Sequence, residues 1–437
     1  MNKPILKDLQ ELVDANIITV DTARQITEYY QAKENAPSNK FNLVLGILGA
    51  ILLGSGVILL VAHNWDVFSR LTKTILAFLP LVIAQAICVY SIVRKRDNRV
   101  WQEGSATFLF FTVAASIAMI SQIYQINGTL GGFLLTWLFL TIPLIYLHSS
   151  SIVSLLVIAI STWYGTETGY HALFSTSITY YPYMYVILLL CLLPWYYQLA
   201  KRNTSNFFHL HNWALAISFA IILGTFSGRE EDFNWVFAGY MALFGLYYSL
   251  GNTTYFRDNK LMANPFRFLG MAGILTIAIM WTFQEAWRGL HDRSHNNILS
   301  SPLFYITILL LIVTGWLIYR NSRNTNNKYD VTTYSAYLFF ILQLMNGNNA
   351  IAGSFIMNCW VIVIAVYFIR KGSMQNHLGI LNFGLIIIAL LATFRFFDTS
   401  IPFIWRGIFF VVAGAGFFAA NYLLLKRRRS LIQNTNS

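Results

Sequence analysis

Asp66 and Arg70 stand four residues apart in "VAHNWDVFSRLTK" (61–73), and Arg395 and Asp398 stand three apart in "RFFDTSIPFIWRG" (395–407). An acid and a base at either spacing share one face of a helix and can pair. His63 and Trp65 flank the first pair, and Trp405 and Arg406 follow the second. If the two stretches lie together, His63, Asp66, Arg70, Arg395, Asp398 and Arg406 form a charged cluster that can meet an ionic ligand. The competing reading is structural: these are polar ends of apolar segments, where charge snorkels at little cost. A third stretch, "EAWRGLHDRSHNNILSS" (285–301), offers Arg288, His291 and Arg293. Forked guanidinium groups match phosphate oxygens, so this loop suits a lipid-linked pyrophosphate; a plain solvated loop is the alternative.

A second kind of chemistry is neutral. Gln85, Gln122, Gln125, Asn358 and Asn382 fall inside apolar runs. They read as a candidate polar path through a membrane or as amides that hold helices together. Glu103 opens an apolar run and reads as a partner for Arg99 or for a helix N-terminus. No catalytic constellation, cofactor motif or metal set is expected. His209 and His211 are two apart and point to different faces. Cys88, Cys191 and Cys359 are too scattered for a disulfide framework or a zinc site and read as small buried apolar residues. Gly46, Ala50 and Gly54, like Gly416 and Ala420, recur at four-residue spacing and read as helix-packing positions.

The elements that must position these residues follow from composition. The chain has 437 residues, of which 56% are hydrophobic, 16% aromatic and only 11% charged. Soluble domains carry about a quarter charged residues. So few charges cannot coat a soluble core, and the chain reads as an all-α, polytopic membrane bundle. The formal net charge of +12 would suggest nucleic acid in a soluble protein. Here it reads as cytoplasmic loop charge, and no nucleic-acid partner is expected.

A helix needs about 20 apolar residues to cross the hydrocarbon core. Apolar runs place about fourteen spans, near 41–62, 74–93, 104–124, 130–147, 150–164, 182–199, 210–227, 235–250, 265–284, 301–319, 332–346, 353–369, 378–396 and 403–425. With a cytoplasmic N-terminus and alternating spans, 23 of the 30 Lys and Arg fall on the cytoplasmic side. Only Arg70, Lys73, Arg229, Arg288, Arg293, Arg395 and Arg406 fall outside. That split fits the positive-inside rule and puts both termini in the cytoplasm. No cleavable signal peptide is expected, since the first 40 residues are polar and no small-residue cleavage site follows the first apolar run.

The domains follow: a cytoplasmic helical hairpin and linker at 1–40, a bundle at 41–425 and a basic tail at 426–437. In the hairpin Leu6, Leu9, Leu12 and Val13 form one stripe, and Ala23, Ile26, Tyr29 and Tyr30 another. Asp21 is the expected N-cap of the second helix. A region this small must dock on something.

"GAILLGSGVILLVAHNWDVFSRLTKTILAFLPLVIAQA" and "WQEGSATFLFFTVAASIAMISQIYQINGTLGGFLLTWLFLTIPLIYL" resemble the signature of a bacterial predicted-membrane-protein family, domain-of-unknown-function family 2157. The resemblance covers about residues 5–150, and the C-terminal "LNFGLIIIALLATFRFFDTSIPFIWRGIFFVVAGAGFFAANYLLLKRRR" resembles the ending of its longer members. It implies a multi-pass protein of the bacterial inner membrane and carries no activity and no catalytic residue.

Three function classes remain. A transporter- or flippase-like permease leads, with a small-molecule or lipid-linked ligand. A scaffold or sensor would act through residues 1–35, by self-association or by binding a protein partner. An enzyme acting on lipid-linked substrates at the outer face ranks last. Membrane lipids are partners in every case. No Asp or Glu lies near the centre of a span, which disfavours a proton-coupled carrier. The loop "RKRDNR" lacks the Gly-x-x-x-Asp-Arg-x-Gly-Arg pattern of major-facilitator transporters.

Overall fold

A computed structural model describes residues 17–35, 65–174, 182–201, 205–227, 235–257, 261–291, 301–324, 330–345 and 349–396, with isolated positions elsewhere. Every regular element among them is a helix. The chain divides into two units, Met1–Phe78 and Leu79–Ser437.

In the first unit, helix α1 spans Val20–Asn35. Its cap is Thr19, whose hydroxyl accepts the Thr22 amide at 3.3 Å. Asp21 is therefore not the cap. It stands inside the first turn, where a carboxylate favours the helix dipole, and pairs with Arg24 at 3.3 Å. Further on, Trp65–Val67 forms a single 3-10 turn. Ser69 then caps the next helix, α2 (Arg70–Arg94), by accepting the Thr72 amide at 3.2 Å. The helix thus begins at Arg70. Asp66 lies in the turn before it, so the four-residue spacing does not put the two on one helical face, and both are exposed without pairing to each other. Lys73 instead stacks over the Trp65 ring at 5.5 Å. The boundary between the units falls within α2.

In the second unit the chain runs through α3 (Arg99–Tyr124), α4 (Leu130–Leu147), α5 (Ser151–Phe174), α6 (Pro182–Leu190), α7 (Leu193–Ala200) and α8 (Asn206–Leu223). It continues through α9 (Val236–Gly251), α10 (Pro265–Met280), α11 (Gln284–His291), α12 (Pro302–Asn324), α13 (Ser335–Met345), α14 (Ala350–Met374) and α15 (Leu378–Phe396). Side-chain caps open several of these helices. Asn98 accepts the amides of Val100 and Trp101, Thr129 that of Gly132, and Ser205 that of Phe208. The turn at His148–Ser150, with Ser149 at a φ of 50°, folds α4 and α5 into a tight hairpin.

Seven of the described helices are long and apolar enough to cross a membrane, or eight if the pair α6 and α7, bent by 45°, is one span. Three more apolar helices, Val236–Gly251, Pro265–Met280 and Val331–Met345, are shorter. Sixteen residues reach about 24 Å at 1.5 Å each, less than the roughly 30 Å hydrocarbon core. Helix α5 turns polar in its second half, which holds Thr166, Glu167 and Thr168. Twelve of the fourteen apolar runs lie on described helices. The first run, 41–62, and nearly all of the last, 403–425, lie outside the described residues. The protein is a multi-pass membrane protein.

The helix α9 packs against α10, α12 and α13, and α14 packs against α15 and α10. Close approach rests on glycine. A Cβ on Gly270 would stand 2.4 Å from the Tyr248 amide nitrogen, and one on Gly384 2.7 Å from the Ala365 carbonyl oxygen. The α9–α10 connection is knotted by buried Asn264. Its amide nitrogen donates to the carbonyls of Gly251 (2.8 Å) and Phe256 (3.0 Å), and its oxygen accepts the Arg267 amide (3.1 Å). Asn264→Ala strands those buried carbonyls and should cost roughly 1–3 kcal/mol, read as a fall in the thermal unfolding temperature of the purified protein. An unchanged midpoint would mean that water or a neighbouring donor replaces the amide.

Only Cys88 of the three cysteines is buried; Cys191 and Cys359 are exposed. The apolar runs that hold them turn those positions outward.

Candidate functional site

Two polar centres stand out in the second unit. The first is built on the α4–α5 turn. Glu103, at the fifth position of α3 and 9% exposed, reaches the N-terminus of α5. Its carboxylate accepts the amides of Ser151 (2.9 Å) and Ile152 (3.0 Å) and the hydroxyl of Ser150. Ser150 in turn caps α5 by accepting the Val153 amide at 3.1 Å. Next to it, the Gln102 amide donates to the carbonyls of Ser91 and Lys95, leaving its oxygen to face His148 Nδ1 at 2.8 Å. Since Gln102 presents an acceptor, His148 Nδ1 carries the proton. Burial pushes the His148 imidazole below its usual range and keeps it neutral.

One turn along α5, Ser154 hydrogen-bonds to His211 Nε2, and His211 Nδ1 lies 2.7 Å from the Phe207 carbonyl. A carbonyl only accepts, so Nδ1 is protonated and Nε2 accepts from Ser154. That is the arrangement of a nucleophile and its base. Ser154 and His211 are both buried, however, which leaves no approach for a substrate carbonyl. The pair acts as a hydrogen bond between α5 and α8.

The second centre is a pocket of about 100 Å³ where the ends of α9, α12 and α14 meet the Val331–Tyr334 turn that leads into α13. Asp330 anchors it. Its carboxylate accepts from Tyr248 Oη at 2.7 Å, from the Thr332 amide at 3.2 Å and from Tyr367, and Lys371 Nζ stands 3.5 Å away. Lys371 also donates to Tyr367 Oη at 3.1 Å. Asn321 Nδ2 donates to the Ser249 carbonyl at 3.1 Å, and Asn252 Nδ2 to that of Tyr248 at 2.9 Å. Arg257, Ser322 and Tyr334 complete the wall. A small polar volume with two cations and one carboxylate can hold a charged solute or headgroup.

The residues singled out from the sequence fall in several places. Arg395 is buried at the end of α15. Its guanidinium donates to Thr282 Oγ1 (2.8 Å) and to the Thr282 carbonyl (3.3 Å), and stacks 4.0 Å from the Phe283 ring centroid. Asn358 donates to the same Thr282 carbonyl at 3.0 Å. The structure thus joins one member of the expected outer cluster to one member of the expected polar path, through a threonine that neither pattern marked. Gln85, Gln122, Gln125 and Asn382 are exposed on α2, α3 and α15 or at their ends, and share no contact that gathers them into one path among the described residues. Arg288 pairs with Glu285 at 2.6 Å on the exposed side of α11, whose Trp287 is buried. His63, Asp398, Arg406, Arg293 and the His291 side chain lie outside the described residues. Asp66 and Arg70 belong to the first unit.

Sequence reasoning missed the pocket. Asp330, Tyr248 and Lys371 are 82 and 41 positions apart in pairs, so no local spacing reports them. The one available signal was an acid, Asp330, beside an otherwise basic and neutral connector, "YRNSRNTNNKYD" (319–330).

Residues 10–154 match the family model described as Predicted membrane protein (DUF2157). The matched stretch is about a third of the chain. It holds α3, α4 and the Gln102–Glu103–His148–Ser150 centre, whereas the Asp330 pocket lies beyond it. No curated protein and no solved structure matches the chain.

Proposed function

We propose that the protein is a permease of the bacterial inner membrane, with about fourteen spans, both termini cytoplasmic, and a solute entrance at the Asp330 pocket. The pocket carries this reading. Within helices packed chiefly by apolar side chains, Asp330, Lys371, Arg257, Asn252 and Asn321 surround an open volume. Charged and polar groups gathered around an open volume at the mouth of a helical membrane bundle suit a solute entrance.

The same contacts support the topology. Tyr248 and Ser249 at the end of α9, Asn321 at the end of α12, Asp330 before α13 and Lys371 at the end of α14 meet at one end of the helices. An even number of crossings between each pair fits that meeting. That end also carries Arg257, Arg267, Arg320 and Arg323, which agrees with a cytoplasmic side. Thr282 and Arg395 lie at the other ends, with Asn358 reaching them from two turns inside α14.

Proteoliposomes test the proposal. A panel of amino acids, sugars, carboxylates and phosphate would be screened for saturable counterflow. At least one should be carried, and Asp330→Ala with Lys371→Ala should reduce its flux by about tenfold or more, the loss of a partly buried ion pair. Flux no higher than in protein-free vesicles for every solute would remove the permease.

Ile17 and Val20, 68% and 71% exposed at the N-terminal hairpin, favour a second reading in which the hairpin docks a protein or another copy of the chain. Deleting residues 1–35 separates the two. Flux survives the deletion in a permease, whereas a scaffold loses its complex.

A further inference from the structure

The same pocket suggests what it holds. We propose that it binds a phosphate group, clamped between Arg257 and Lys371; this rests on the pocket described above and not on transport through it.

The charges decide the sign of the ligand. Asp330 is the one carboxylate among the described lining residues, and two tyrosine hydroxyls, a backbone amide and Lys371 already surround it. A carboxylate so supplied with donors has little attraction left for a cation. Among the described lining residues Arg257 and Lys371 outnumber it, and Arg267 acts electrostatically on the same tyrosines. That balance favours an anion.

The remaining groups decide the shape. Asn252 and Asn321 bring amide groups to the wall. Ser249 also lines the pocket. A guanidinium fork, an ammonium and neutral donors around one small volume match a tetrahedral oxyanion. At about 100 Å³ the pocket is well below the roughly 300 Å³ of a drug-sized site, so the ligand is compact. Its place at the helix ends lets the phosphate come from solution or from a lipid headgroup.

Thermal unfolding of the full chain in a phosphate-free detergent micelle tests this. The two probes are inorganic phosphate and short-chain phosphatidic acid, each against chloride at equal ionic strength. Free phosphate as the ligand predicts a saturable rise in midpoint with both probes. A headgroup site predicts a rise with phosphatidic acid alone. In either case Arg257→Gln and Lys371→Met should each weaken binding by roughly tenfold or more, since charge-assisted hydrogen bonds are worth about 1.5–3 kcal/mol, and Lys371→Arg should retain it. If Lys371→Met does not fold, Arg257→Gln carries the comparison. No saturable shift with either probe, or a shift that both substitutions leave intact, overturns the site. Binding without vesicle flux would keep the phosphate site and remove the permease. Flux without any phosphate response would do the reverse.

Discussion

Alanine at Gly270 is expected to lower the thermal midpoint of the purified protein by several degrees, the result of about 1–3 kcal/mol of overpacking. The added methyl would stand 2.4 Å from the Tyr248 nitrogen, 2.8 Å from the Tyr248 Cα and 2.8 Å from the Phe244 oxygen. These are backbone atoms, so no rotamer change relieves the contact and α9 and α10 must separate. Lipid tails are as apolar as the side chains, so helices in a membrane are held by close packing more than by the hydrophobic effect. Separating the pair therefore removes the principal attraction. Tyr248, carried by α9, would also shift from Asp330, so phosphate binding should weaken in parallel. Gly104→Ala is the control: a Cβ there meets nothing within 4 Å, and alanine is the better helix former. Equal midpoints for the two variants would mean that α9 and α10 are less tightly joined than their glycines require.

Helix positions were legible in the sequence because a membrane helix announces itself by length and hydropathy within one window. The runs at 74–93, 104–124, 130–147, 353–369 and 378–396 each fall on a helix of 18 residues or more. What happens between helices was much less legible. The small-residue stripe Gly46, Ala50 and Gly54 lies outside the described residues; among those described, close backbone approach depends on Gly270 and Gly384, which stand in no such stripe. Charge showed the same limit. Spacing paired Arg395 with Asp398, which lies outside the described residues; the contact the structure describes runs to Thr282, 113 positions away and invisible to any local pattern. Asp66 and Arg70 had helical spacing and no helix to use it, because Ser69 starts the helix between them. The Asp330 pocket depends wholly on long-range packing. Local spacing reports local structure, and a polar site between membrane helices is made from residues that meet only after the bundle has formed.

Glu103 is the acid whose loss should matter most. One reading of the sequence gave it a helix N-terminus as partner, and the structure supplies one, but on α5 rather than on its own helix. Glu103→Gln keeps the size and removes the charge. The Ser151 and Ile152 amides are held by different carboxylate oxygens, so the new NH₂ group would point a donor at one of these donors. Charge-assisted hydrogen bonds to a buried carboxylate are worth about 1.5–3 kcal/mol, so a loss of roughly 2 kcal/mol is expected. Glu103→Ala should cost more, about 3 kcal/mol, because two helix-end amides and the Ser150 hydroxyl are left in the interior without an acceptor. Glu103→Asp, one methylene shorter, should fall between glutamate and alanine. The cycle with Ser150→Ala separates the cap from a general effect of charge. If Glu103 acts through Ser150, the double variant should cost less than the two single losses combined. A helix that frays at Ser151 would also loosen the Ser154–His211 bond one turn along, so the α5–α8 contact should weaken with the cap. A Glu103→Gln protein that unfolds at the wild-type temperature would show that the carboxylate does not hold α5. A buried acid kept at that position without a structural return would then have to be explained by proton or ion chemistry.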